Sequence, residues 1–109
     1  MGLFDFLKKR VIEPTHPLCG VWKIIRSEEP MEDEVRMTFH PDGRLIYSIY
    51  LKDRIQIMKL TFRVSGDTII SDQPSHPKEE RSRFSFEDDG VLVLEHEGRK
   101  AWLKQVPNR

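Results

Sequence analysis

The chain has 109 residues, 38% of them apolar and 33% charged, with 18 basic and 18 acidic side chains and a formal net charge of zero. That length makes a single domain with one modest core, and the single cysteine, Cys19, excludes an internal disulfide. The charge balance excludes a general field for drawing in nucleic acid or acidic lipid, and it does little to oppose self-association.

Residues 2–13 read as an amphipathic helix. Leu3, Phe4, Leu7 and Val11 fall on one face. Asp5 stands in the first turn, with Lys8, Lys9 and Arg10 further on, as the helix dipole prefers. Glu13-Pro14 ends it, because the residue before a proline resists helical geometry. The charges of this segment follow its apolar residues, which is not the order of a secretory signal. Phe6 stands where a myristoylation motif needs Ser or Thr. No run approaches the ~20 apolar residues of a membrane span. The expected location is the cytoplasm. Residues 14–17 (PTHP) read as a stiff linker, 18–106 as the main domain and 107–109 as a tail.

From Leu18 the period changes to two. Eight β-prone runs follow, over 18–26, 34–40, 44–51, 55–65, 68–72, 81–87, 91–96 and 100–106. The connectors Pro41-Asp42-Gly43, Gly66-Asp67, Asp88-Asp89-Gly90 and Glu97-Gly98-Arg99 are short and turn-prone. Short connectors make consecutive strands antiparallel neighbours. Alternation assigns Val35, Met37 and Phe39, then Met58, Leu60, Phe62 and Val64, then Phe84 and Phe86, then Leu92 and Leu94 to the inner face. The third strand stays open, since Leu45, Tyr47, Ile49 and Leu51 compete with Ile46, Ser48 and Tyr50. The fold expected is all-β: an eight-stranded antiparallel up-and-down meander closing as a small barrel. A meander without a long crossover favours a barrel over a two-sheet sandwich, and closure removes edge strands.

Three stretches, in this order, carry a family likeness. They are Leu18-Cys19-Gly20-Val21-Trp22, then Phe39-His40-Pro41-Asp42-Gly43-Arg44-Leu45-Ile46-Tyr47, then Phe62-Arg63-Val64-Ser65-Gly66-Asp67-Thr68-Ile69. Residues 18–106 thereby resemble the small bacterial lipocalin-like domains of the calycin group. The resemblance implies that Trp22 packs across the closed end of the barrel, with a basic residue near the last strand, Lys104, Arg99 or Lys100, over its indole. It also implies a non-enzymatic binding domain that takes a small apolar or amphipathic ligand at the mouth, where Tyr47, Tyr50, Met58 and Phe84 are the candidate contacts. Unlike secreted lipocalins, this chain is short and has no disulfide pair. Side chains such as Trp22, Phe39, Phe62 and Phe84 suffice to fill an eight-strand interior, so a hollow and a packed barrel both stay open.

No catalytic set stands in the sequence. There is no P-loop, G-x-G-x-x-G, H-E-x-x-H or G-x-S-x-G, and no enzyme activity, metal or cofactor is expected. His16 and Cys19 have ligand-like spacing but lack a third and fourth ligand. Cys19 as a nucleophile needs a base and a lowered pKa, and reads instead as a small packed residue. The basic residues are scattered and do not alternate with aromatics, which argues against a nucleic-acid partner. Membrane contact through residues 1–13 and self-association form a weaker reading. The most uneven stretch is 27–34 (SEEPMEDE), with Glu28, Glu29, Glu32, Asp33 and Glu34 around Met31. It reads as a solvated loop or as a docking patch for a basic protein. The second reading makes the chain an interaction module, such as an immunity protein that neutralises a basic toxin domain.

Overall fold

The computed structural model describes residues 10–107. Eight strands follow in chain order: β1 (Gly20–Ser27), β2 (Glu34–Phe39), β3 (Arg44–Tyr50), β4 (Ile55–Ser65), β5 (Thr68–Asp72), β6 (Glu80–Phe86), β7 (Leu92–His96) and β8 (Arg99–Gln105). Each pairs antiparallel with the next, and β8 pairs with β1 to close the barrel. The turn residues explain the registers. Glu97 and Gly98 both take positive φ, 51° and 81°, as a type I′ hairpin requires. Gly66, at φ 60°, opens the two-residue turn that sets Ser65 opposite Thr68.

The register stacks the inner side chains in tiers. Trp22 lies opposite Met37, Met37 opposite Tyr47 and Tyr47 opposite Met58. Phe39 lies opposite Leu45, and Leu45 opposite Leu60. This settles the third strand: Leu45 is buried in the core and Tyr47 packs against it, so Tyr50, three positions on, belongs to the outer wall. Near Ile25 the pairing of β1 with β8 shifts, leaving Ile25 exposed on the outside.

One end of the barrel is closed. The turns at 40–43, 66–67 and 87–91 gather there, and the chain before β1 plugs it. Ile12 and Leu18 are buried in the core with Trp22. The indole Nε1 of Trp22 donates to the Leu18 carbonyl at 2.9 Å, so the buried polar atom is satisfied. The helix expected over 2–13 falls largely outside the described residues. Over Arg10–Glu13, which are described, the chain is not helical. The amides of Val11 and Ile12 donate to the Pro41 carbonyl, at 2.7 and 3.2 Å, instead of to their own segment. No cation covers Trp22 among the described residues, which corrects the expectation for Lys104, Arg99 and Lys100. The guanidinium over an indole is that of Arg26, 4.2 Å from the ring centre of Trp102, while Trp22 is flanked by Phe86 at 6.0 Å.

β4 is the longest strand, with 11 residues. It pairs with β3 over Ile55–Thr61 but with β5 only from Thr61 onward. Among the described residues no helix is long and apolar enough to cross a membrane.

Candidate functional site at the barrel mouth

The other end of the barrel is open, bounded by the connections at 28–33, 51–54, 73–79 and 97–98. A cavity of about 420 Å³ descends from it. Its apolar side is formed by Ile24, Met37 and Leu60, with Leu94 beside them. Its polar side comes from the mouth-facing ends of β5, β6 and β7, which contribute Ser71, Glu80, Ser82 and His96. Tyr47 stands between the two. Trp22 does not line the cavity, and the closed half of the barrel below is packed.

Register explains the polar cluster. Ser71 lies opposite Glu80 and Ile69 opposite Ser82, so the face that buries Ile69 carries Ser82 beside it and Ser71 and Glu80 one step nearer the rim. The His96 Nδ1 lies 3.0 Å from the Arg81 carbonyl and 3.4 Å from Ser82 Oγ. Its Nε2 faces two carboxylates, Glu80 at 3.4 Å and Glu97 at 3.8 Å. The carbonyl can only accept, so Nδ1 carries the hydrogen in that contact. Burial, and secondarily the Glu80 carboxylate, push the Tyr47 phenol above its usual pKa. The phenol therefore stays neutral at physiological pH and keeps its donor hydrogen.

The candidate ligand contacts separate. Tyr47 lines the mouth cavity, whereas Met58 lines a neighbouring space between β4 and the 73–79 connection. Tyr50 lies on the outer wall beneath the Arg36 guanidinium, 5.2 Å from its ring centre. Phe84 belongs to the aromatic packing lower down, 6.3 Å from His16 and 6.1 Å from Phe86. Sequence reading missed Glu80, Ser82 and His96. The only signal for them was polar residues at inward positions of short strands, which alternation alone reads as the end of the apolar face.

The acidic stretch is also divided. Glu28 accepts the Lys100 amide at 2.7 Å, and Glu29 pairs with Arg99 at 2.9 Å. Glu34, at the start of β2, takes a 2.6 Å bond from Arg36 and lies 3.8 Å from Lys23. Glu32 and Asp33 have no ion pair among the described residues, and Met31 beside them is 40% exposed. Glu28, Glu29 and Glu34 thus hold the loop in place, while Met31, Glu32 and Asp33 face solvent. Cys19 Sγ contacts the Glu13 carbonyl at 3.3 Å, and burial raises its pKa, so the thiol stays protonated. Among the described residues no three His, Cys, Asp or Glu side chains converge as metal ligands.

Comparison of the chain with family models, with curated proteins and with solved structures finds no match in any of the three.

Proposed function

We propose that this is a small lipocalin-like, calycin-type binding domain, non-enzymatic, that takes one small amphipathic molecule in the barrel mouth. The observation that carries this reading is the cavity's division into an apolar side at Ile24, Met37 and Leu60 and a polar side at Ser71, Glu80, Ser82 and His96. Its volume of about 420 Å³ falls within the range of small-molecule sites. The Gly20-Val21-Trp22 opening of β1 supports the family reading, because Trp22 sits in the sealed half as that family's tryptophan does.

The test is thermal unfolding and calorimetry with decanol, decylamine and decanoate. At least one is expected to bind once per chain and to raise the unfolding free energy by about 2.7 kcal/mol at a hundred times its Kd. Leu60→Trp, which fills the apolar side, is expected to weaken that binding at least about tenfold, or 1.4 kcal/mol. No saturable binding by any of the three, or equal binding by the filled variant, overturns the reading.

The second reading, docking of a basic partner such as a toxin domain, is favoured by one observation: exposed Met31 beside Glu32 and Asp33, which have no ion pair among the described residues. It calls for Glu32→Lys with Asp33→Lys to abolish capture of a basic protein from the native host, with Glu28 and Glu29 left in place. Unchanged capture removes this loop from the interface.

A further inference from the structure

The barrel wall has a notch between β4 and β5, and its cause is in the sequence. β5 pairs with β4 as far as Asp72 opposite Thr61. Continuing that register sets Gln73 against Leu60 and Pro74 against Lys59. Pro74 has no N–H to give, so the ladder stops there. The Asp72 Oδ1 then accepts the Lys78 amide at 2.8 Å and turns the following loop aside. Ile55–Leu60 of β4 keep β3 on one flank and no strand on the other among the described residues.

Parity shows which backbone groups are left over. The Phe62 amide donates to the Gly43 carbonyl at 2.8 Å, on the β3 side. Even-numbered positions of β4 therefore bond toward β3, and odd-numbered ones bond the other way. Ile55, Ile57 and Lys59 thus aim their N–H and C=O groups into the notch, where no backbone partner meets them among the described residues. A space of about 610 Å³ lies alongside, with Met58 and Leu60 on one wall and His76, Pro77 and Lys78 on the other. Ile55 and Ile57, 54% and 49% exposed, flank it on the outer surface.

We propose that this notch binds an extended peptide segment of a partner protein, which adds as a strand to Ile55–Lys59. A row of donors and acceptors at alternate residues, otherwise met by solvent water, matches the backbone repeat of an extended strand. The loop at 76–78 closes the far side of the space, so one strand fits where the double-stranded edge of a second barrel does not. In the antiparallel direction, which continues the line of β5, the side chains follow from the register. The residue opposite Met58 points inward beside Tyr47 and is apolar. The residue opposite Ile57 lies on the outer surface and is β-branched or apolar. The residue opposite Lys59, which has no ion pair among the described residues, is acidic. This surface adjoins the mouth cavity, since Tyr47, Leu60, Ser71 and Glu80 border both, but the backbone of Ile55, Ile57 and Lys59 on which it rests is not part of that cavity's lining.

The test selects a display library of random twelve-residue peptides on the full chain and measures the enriched peptides against the full chain and Ile57→Pro. A proline at 57 removes only an amide that faces the notch, so β3 pairing survives. Selected peptides are expected to lose at least tenfold affinity on Ile57→Pro, and as much when N-methylated at the alternate amides that meet β4. N-methylation at the intervening amides is expected to change affinity less than twofold. The N-methyl comparison stands even if the proline variant does not fold. Hydrogen exchange of the protein alone is expected to show fast exchange at Ile57 and Lys59, slowed when peptide is bound. No enriched peptide, tolerance of N-methylation at every amide, protection of Ile57 and Lys59 in the free monomer, or protection that appears only with a concentration-dependent dimer would each overturn the proposal.

Discussion

Gly43 shows how much one backbone position carries. Its φ is 96°, and a Cβ placed there would lie 2.6 Å from Val11 Cγ2 and 3.2 Å from the Phe62 carbonyl. Gly98, at φ 81°, has open space around the same atom. Gly43→Ala thus meets both the left-handed penalty and a clash against the plug of the closed end, while Gly98→Ala meets only the penalty. Denaturant unfolding is expected to show a loss of about 2–3 kcal/mol for Gly43→Ala and about 1 kcal/mol for Gly98→Ala. Equal losses would mean that Val11 does not pack where the fold places it. Two titrating residues give opposite pH signs. The Arg36 hydrogen bond holds the Glu34 carboxyl below its usual pKa, with Lys23 adding to it. Its stabilising share is present above the unfolded carboxyl pKa of about 4.3 and is lost as pH falls through the lower folded value. Carboxyl titration followed by NMR is expected to move upward in Arg36→Gln. Tyr47 runs the other way. Its raised pKa keeps its share whole below the unfolded value of about 10 and removes it as pH rises through the higher folded value. Tyr47→Phe is expected to flatten the alkaline loss of stability, and an unchanged alkaline limb would place the phenol in solvent.

At the scale of elements, the strands were legible because two signals agreed. Alternation marked all eight runs to within two residues of their observed bounds, and Gly66, Gly90 and Gly98 stand in the turns that separate them. The inner set of β2 and β4 was read directly, and it holds the most consequential pair. Phe39 and Phe62 are buried and meet edge to face at 5.2 Å. Phe39→Ala is expected to cost about 3–5 kcal/mol in denaturant unfolding, whereas Ile25→Ser on the exposed shift of β1 is expected to stay within about 0.5 kcal/mol. Three features were not legible, each for a physical reason. β3 is apolar on both faces, so its alternation could not tell Tyr47 from Tyr50. Over Arg10–Glu13, helical spacing is outcompeted by the Pro41 carbonyl, a contact between distant parts of the chain. The polar wall of the mouth depends on β5, β6 and β7 lying side by side, so that Ser71, Glu80 and His96 converge from three strands. The early end of β5 is the reverse case, since Pro74 was in plain view and its consequence needed only the register.

For the whole molecule, the ring of strands has no privileged starting point. Closure is made by β1 and β8, the elements furthest apart in the chain. The Val106 amide donates to the Val21 carbonyl at 2.8 Å, and the Gln105 side chain donates to the Cys19 carbonyl at 3.1 Å. The entrance to β1 and the exit from β8 therefore lie together at the closed end, while the Glu97-Gly98 turn projects at the mouth. A permutant that joins Arg109 to Met1 by a glycine–serine linker and opens the chain between Glu97 and Gly98 keeps every other adjacent strand pair. It turns the β1–β8 seam into a local connection and the β7–β8 hairpin into the closing seam. Because loop-closure entropy changes slowly with length, and exposed turn tips tolerate new termini, the change is expected to cost no more than about 2 kcal/mol. Opening the chain between Met58 and Lys59 instead cuts the strand that carries both the β3 ladder and the start of the β5 ladder, and that permutant is expected not to fold. Circular dichroism and cooperative thermal melting distinguish the two. An unfolded Glu97–Gly98 permutant would show that the β7–β8 hairpin must form locally before the barrel can close.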